Sequence, residues 1–96
     1  MAGYALSPAA QADLEEIWDY TSRHWGEAQA ERYTRDIQAA CEAMSDGTLV
    51  GRSAENIRAG YRKAAVGSHV VFARERSGRL EIVRILHRRM DVGRHI

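Results

Sequence analysis

Arg58, Arg62, Arg74, Arg84, His87 and Arg88 bring five guanidinium forks and one titratable imidazole into the second half of the chain. A guanidinium grips a carboxylate or a phosphate through two parallel hydrogen bonds, and an imidazole exchanges a proton near neutral pH. The chemistry that follows is the capture of an acidic partner through its carboxylates or phosphates. The wider composition leans the same way. Residues 1–50 hold three basic against nine acidic side chains, a net of −6, whereas residues 51–96 hold eleven against four, a net of +7. All but one of the basic residues are arginine.

Other chemistry finds little support in the spacing. There is no Cys-x-x-Cys, His-Glu-x-x-His, phosphate-cradling glycine run or Gly-x-Ser-x-Gly, so neither a cofactor nor a hydrolase motif is indicated. His24, His69, His87 and His95 are scattered, and no metal site is expected. Cys41 falls on an apolar helical stripe and reads as a buried, inert thiol; Trp18 and Trp25 share such a stripe and read as core. With no leader and no long apolar run, the default expectation is a cytoplasmic protein without membrane insertion. A basic DNA-binding module lacks a groove-reading helix here, because both predicted helices are acidic; sequence-specific nucleic-acid binding is not expected.

The elements that must position the arginines can be read in order. Tyr4-Ala5-Leu6 suits a short strand delivered into a helix at Ser7-Pro8, where serine caps free N–H groups and proline lacks only an N–H that would have been unpaired. Ala10, Leu14, Ile17, Trp18, Thr21 and Trp25 recur at helical spacing, and Gly26 is expected to end the helix in the left-handed conformation. Ala30, Tyr33, Ile37, Ala40, Cys41 and Met44 line a second helix ending at Ser45-Asp46-Gly47. The connection is so short that the pair must form an antiparallel hairpin with one apolar side for a sheet. Residues 48–57 lack periodicity and read as loop.

Three strands are predicted after that: 61–66, 69–75 and 80–87. Gly67-Ser68, suited to a type II′ turn, and Ser77-Gly78 join them as two hairpins. The last strand is apolar on both sides, with Leu80, Ile82 and Leu86 on one face and Val83 and Ile85 on the other, which places it inside the sheet. Arg84 would interrupt the first face, and a charge there must find a partner. That partner is either an internal acid, such as Glu75 or a helix carboxylate, or an external ligand; the concentration of arginines on one sheet favours a basic groove. The chain is read as a single domain, residues 1–96, of α+β class and order β-α-α-β-β-β, with the helical hairpin packed on a small, mainly antiparallel sheet.

Nearly the whole chain resembles the ParE branch of the RelE/ParE toxin superfamily of type II toxin-antitoxin systems. The resemblance runs through YALSPAAQADLEEIWDYT, WGEAQAERY, Gly51-Arg52, IRAGYR, GSHVVFARE and EIVRILHRRMD. It departs at Thr48-Leu49-Val50, where a proline is usual before the Gly-Arg pair. It implies a toxin that binds and poisons DNA gyrase rather than an enzyme, silenced by a ParD-like antitoxin. On that implication Arg58, Arg62, Arg74 and Arg84 meet acidic antitoxin side chains, and the basic segment of Arg88, Arg89, Arg94, His95 and Ile96 meets gyrase. The sister RelE branch implies the alternative, a ribosome-dependent mRNA endonuclease with Arg62 and Arg84 on the phosphate and His87 in proton transfer.

Overall fold

The computed structural model describes residues 3–96. Strand β1 (Tyr4–Leu6) leads into helix α1 (Pro8–Trp25) and helix α2 (Glu27–Asp46), followed by β2 (Arg52–Ser53), β3 (Arg62–Val66), β4 (His69–Arg76) and β5 (Arg79–His87), with a short 3₁₀ turn at Val92–Arg94. The sheet order is β1-β5-β4-β3-β2, and only β1 and β5 run parallel. The expected interior place of β5 is therefore met. The residues expected to be all loop contain a strand: Arg52 and Ser53 pair with Lys63 and Arg62 and add a two-residue edge. Two residues are too few for any alternation to register in the sequence.

Ser7 starts α1 as its type predicts and also ties the helix to the sheet. Its Oγ accepts from the Ala10 N–H at 3.0 Å and donates to the Val83 carbonyl at 2.7 Å, while its own N–H donates to the Ile82 carbonyl. One residue, Gly26, separates the helices. Its φ of 90° and ψ of 163° lie outside the left-handed helical region expected of it, in extended backbone that essentially only glycine adopts, so the chain reverses without a longer loop. The hairpin lays Ala10, Leu14, Ile17, Ile37, Cys41 and Met44 against Val71, Ala73, Leu80, Ile82 and Ile85 of the sheet. Each buried aliphatic side chain of this kind contributes about 1.5–3 kcal/mol. Cys41 is buried as expected, and burial pushes its thiol up to about 11, which removes the reactive thiolate at neutral pH. Trp25 is not core. At the tip of the hairpin it is 72% exposed, because the sheet does not extend under the last turn of α1.

The other face of the sheet carries a smaller cluster of Ala54, Tyr61, Phe72 and Leu86, with Ile57, Val70, Val83, Val92 and Ile96 packed partly over it. Which β5 residues point to which face differs from simple alternation. Phe72 pairs with Arg84 and Ala73 with Ile82, so Val83 is an extra residue without a partner. This bulge shifts the pleat by one. Leu80 and Ile82 before it and Ile85 after it face the helices, whereas Val83 and Leu86 face away. The predicted grouping of Leu86 with Leu80 and Ile82 is thereby corrected, as is the grouping of Val83 with Ile85. Both tight turns form: Gly67 has φ 55°, and Ser77 and Gly78 both have positive φ, as a type I′ hairpin requires.

Candidate functional site

The arginines divide between the two faces. Arg58, Arg74, Arg76 and Arg84 line a groove of about 600 Å³ on the face away from the helices, together with Tyr61 and Ile96. Arg62 is opposite Ala73, a helix-facing residue, and donates to the Val50 carbonyl at 3.2 Å. Cross-strand partners share a face, so Arg62 stands on the far side of the sheet from that groove. The basic groove anticipated from Arg62, Arg74 and Arg84 together is thus built by Arg74 and Arg84 with Arg58, without Arg62.

Each groove arginine already has an acceptor within the molecule. Arg84 grips Asp13 of α1 through two bonds, Nε to Oδ2 at 2.8 Å and Nη2 to Oδ1 at 2.7 Å. Asp13 Oδ2 also accepts from the Ile85 N–H at 2.9 Å. This bond explains why an acid sits in the apolar stripe of α1. Beta1 ends opposite Ile82, and beyond it the open edge of β5 would bury an unpaired N–H; first Ser7 and then Asp13 continue the pairing. The Asp13 hydrogen bond is the main reason the Arg84 pKa is raised further, so Arg84 is a permanent cation. The internal ion pair weighed for Arg84 is therefore the one the fold makes, with a helix acid rather than Glu75. Arg74 pairs with Glu81 at 2.9 Å and lies 5.9 Å over the Tyr61 ring; Arg76 reaches the same carboxylate at 3.5 Å.

The remaining bonds run to segment 92–96. Arg84 Nη1 donates to the His95 carbonyl at 3.0 Å, and Arg58 Nη2 donates to the Ile96 carbonyl oxygen at 2.8 Å. Val92 and Ile96 rest on the far-face cluster. Arg88, Arg89, Arg94 and His95 are exposed around them; Arg94 makes only a loose surface pair with Asp91 at 3.6 Å. The two residue sets assigned separately to antitoxin and gyrase thus touch one another.

His87 belongs to a different place. It is opposite His69 at the end of β4 and β5 that lies beside the Gly67-Ser68 turn, with the rings edge to face at 5.3 Å. Arg62 is level with Ala73, four residues along β4 from His69, or about 13 Å at strand rise. Arg62, Arg84 and His87 are not assembled around one point. The histidines line a groove of about 920 Å³ with Ile17, Tyr20, Trp25 and Tyr33. Tyr33 Oη is 2.6 Å from His69 Nδ1, 3.1 Å from the Val66 carbonyl and 3.0 Å from the Ser68 N–H. A hydroxyl has one hydrogen, so it donates either to a neutral Nδ1 or, when Nδ1 carries a proton, to Val66. Burial, then the neighbouring His87, pulls the His69 pKa below 6.5. Neither Asp13 nor the Tyr33–His69 contact was singled out from sequence. Asp13 had a signal: it falls three residues after Ala10 and four before Ile17, at a core-facing position of α1.

Among the described residues, no three His, Cys, Asp or Glu side chains are grouped to hold a metal ion, and no helix is long and apolar enough to cross a membrane.

A helical hairpin packed on a five-stranded mixed sheet with an arginine-lined far face defines an α+β fold. The same architecture occurs in a chain of the chromosomal ParDE TA system from P. aeruginosa, at a TM-score of 0.76 and 22% identity over 91% of this chain and 96% of that one. The family model described as the ParE toxin of the type II toxin-antitoxin system, parDE, matches residues 4–92. The chain is 50% identical to Toxin ParE1 of Mycobacterium tuberculosis over 97% of this chain and 96% of that protein. It is 46% identical to Toxin ParE1 of Caulobacter vibrioides, over 100% and 99% respectively. The chain belongs to the ParE toxin family.

Proposed function

We propose that residues 1–96 form one toxin domain that acts in the cytoplasm by binding DNA gyrase and holding it in its DNA-cleaved state, and that a ParD-like antitoxin keeps it silent. A toxin of this kind need catalyse nothing itself; it shifts the population of gyrase's own intermediate. Family membership carries the reading. Two features of the molecule support it. Arg88, Arg89 and Arg94 form an exposed cationic surface beside His95 and Ile96, which suits a gyrase contact. Arg58, Arg74 and Arg84 edge an apolar patch, which suits an antitoxin segment with acidic and apolar side chains, and Arg62 is a separate candidate contact on the other face. The RelE-type endonuclease reading is less well supported, because Arg62 and His87 stand at opposite ends of the strands.

Induction of the chain without antitoxin, with a DNA-damage reporter and bulk translation followed in one culture, tests the proposal. DNA damage should rise before translation falls, and purified gyrase should accumulate cleaved DNA. Replacement of Arg88, Arg89 and Arg94 by Ala should abolish that accumulation in a folded protein, whereas His87→Ala should not. Translation collapsing first, with cleaved messages, would overturn the gyrase reading.

A further inference from the structure

The groove between the helical hairpin and the Gly67-Ser68 end of the sheet takes no part in the reading above. Five large apolar side chains are left exposed among the described residues, and three of them, Tyr20, Trp25 and Met90, line this one groove of about 920 Å³. Tyrosine, tryptophan and methionine are side chains that partner surfaces concentrate at their centres. The aromatic wall is partly set in advance, because the His24 ring stacks on Tyr20 at 4.0 Å and its Nδ1 bonds the Tyr20 carbonyl at 2.8 Å. The charge of the groove is the reverse of that on the far face. Among the described residues no arginine or lysine lines it, whereas Asp13 and Glu16 do. Asp13 is engaged by Arg84 and the Ile85 N–H; Glu16 is exposed and enters no ion pair among the described residues. The two histidines that line the groove add no positive charge at neutral pH. Burial holds His69 below its ordinary 6.5, and His87 accepts the Arg89 N–H at Nδ1, 3.1 Å away, so that nitrogen carries no proton.

We infer that this groove is a docking site for a basic segment of a partner protein, with an arginine or lysine side chain laid against the Tyr20 and Trp25 rings and its charge on Glu16. A cation over an aromatic face is attracted by the ring quadrupole, and the neighbouring carboxylate completes the pairing. The aliphatic stem of such a side chain covers Ile17 and Met90 while its head stays at the rim. A carboxylate or a phosphate in the same place would instead face Glu16 across a short distance. Sites of opposite charge on opposite sides of the sheet let one molecule hold two unlike partners at once. The far face offers cations and this groove an anion, and the two meet only at the Asp13–Arg84 ion pair, whose charges cancel.

The test is an NMR titration of the full chain, 15N-labelled, with short acetylated and amidated peptides that alternate one charged residue type with leucine. The arginine peptide should move the Trp25 indole N–H and the Glu16 amide. Exchanging its arginines for citrulline, which keeps the shape and removes the charge, should weaken binding about tenfold; Glu16→Gln and Trp25→Ala, both at exposed side chains, should each weaken it about fivefold. Arg58→Gln on the far face should bind the peptide as the unaltered chain does. Free arginine amide, which lacks the apolar neighbours, should bind at least about tenfold more weakly than the peptide. Equal binding of the citrulline peptide would leave an apolar groove only, and tighter binding of a glutamate peptide would mean that the field of Arg88 and Arg89 governs it. A free amide that matches the peptide would make it a site for small cations. The same resonances moving with chain concentration alone, or with a single-stranded oligonucleotide as readily as with the arginine peptide, would give the groove to a second copy or to a nucleic acid. Each of these results would overturn the inference, and none depends on whether the chain traps cleaved DNA.

Discussion

The two faces of the sheet are built on different terms. The helix-covered face is closed by two long helices over fully buried aliphatic side chains, and Asp13, the one charged side chain buried among the described residues, accepts three hydrogen bonds. The far face has a smaller apolar cluster with five partly buried residues packed against it, and two of its arginines, Arg58 and Arg84, donate to main-chain oxygens. Close-packed apolar contact cannot be exchanged for another partner without leaving a cavity, whereas a shallow patch ringed by cations can be re-covered by any segment with matching chemistry. One face therefore holds the fold, and the other can be re-covered without unpacking it.

Substitutions can break or sharpen this contrast. The largest effect is expected for Ile82→Ala on the helix-covered face, a loss of about 2–4 kcal/mol in urea unfolding, against less than about 1 kcal/mol for Ile96→Ala on the far face. Equal losses would mean that segment 92–96 is part of the core. Asp13→Ala should cost about 2–3 kcal/mol, because it strands Arg84 and the Ile85 N–H together; Asp13→Asn, which keeps an acceptor, should recover part of that. Gly67→Ala comes next, at about 1–2 kcal/mol in the same assay. The residue has φ 55°, and an added Cβ would stand 2.6 Å from Tyr33 Cε1.

The smallest effect is a pH slope from His69. Its folded-state pKa lies below the ordinary 6.5, so the unfolded chain binds the proton more readily. The contribution is whole above 6.5, erodes as pH falls through that value, and levels off below the depressed folded value. Unfolding midpoints taken between about pH 8 and pH 5 should decline, and His69→Gln should flatten the decline. A midpoint that rises on acidification would show that the acids near the groove, Asp13 and Glu16, outweigh burial and His87.

Much of the fold could be read from the chain alone, for local reasons. Ser7-Pro8 is a helix start wherever it is placed before a 3.6-residue apolar pattern, and Gly67-Ser68 and Ser77-Gly78 make tight turns because their backbone can reach positive φ. The apolar stripe of the second helix and the two-sided apolarity of Leu80–His87 likewise placed the helical hairpin over the sheet and β5 inside it. Composition also determined that the second half would be a surface of arginines. Only the tertiary structure decided how those arginines are used. The bulge at Val83 depends on the register of β5 against β4 and reassigns every side chain beyond it. Trp25 lies on the apolar stripe of its helix yet faces water, because the sheet stops short of it. The partner of Arg84 is 71 residues away in sequence, and no periodicity carries that distance; an ion pair forms between whatever charges the packed elements bring within reach.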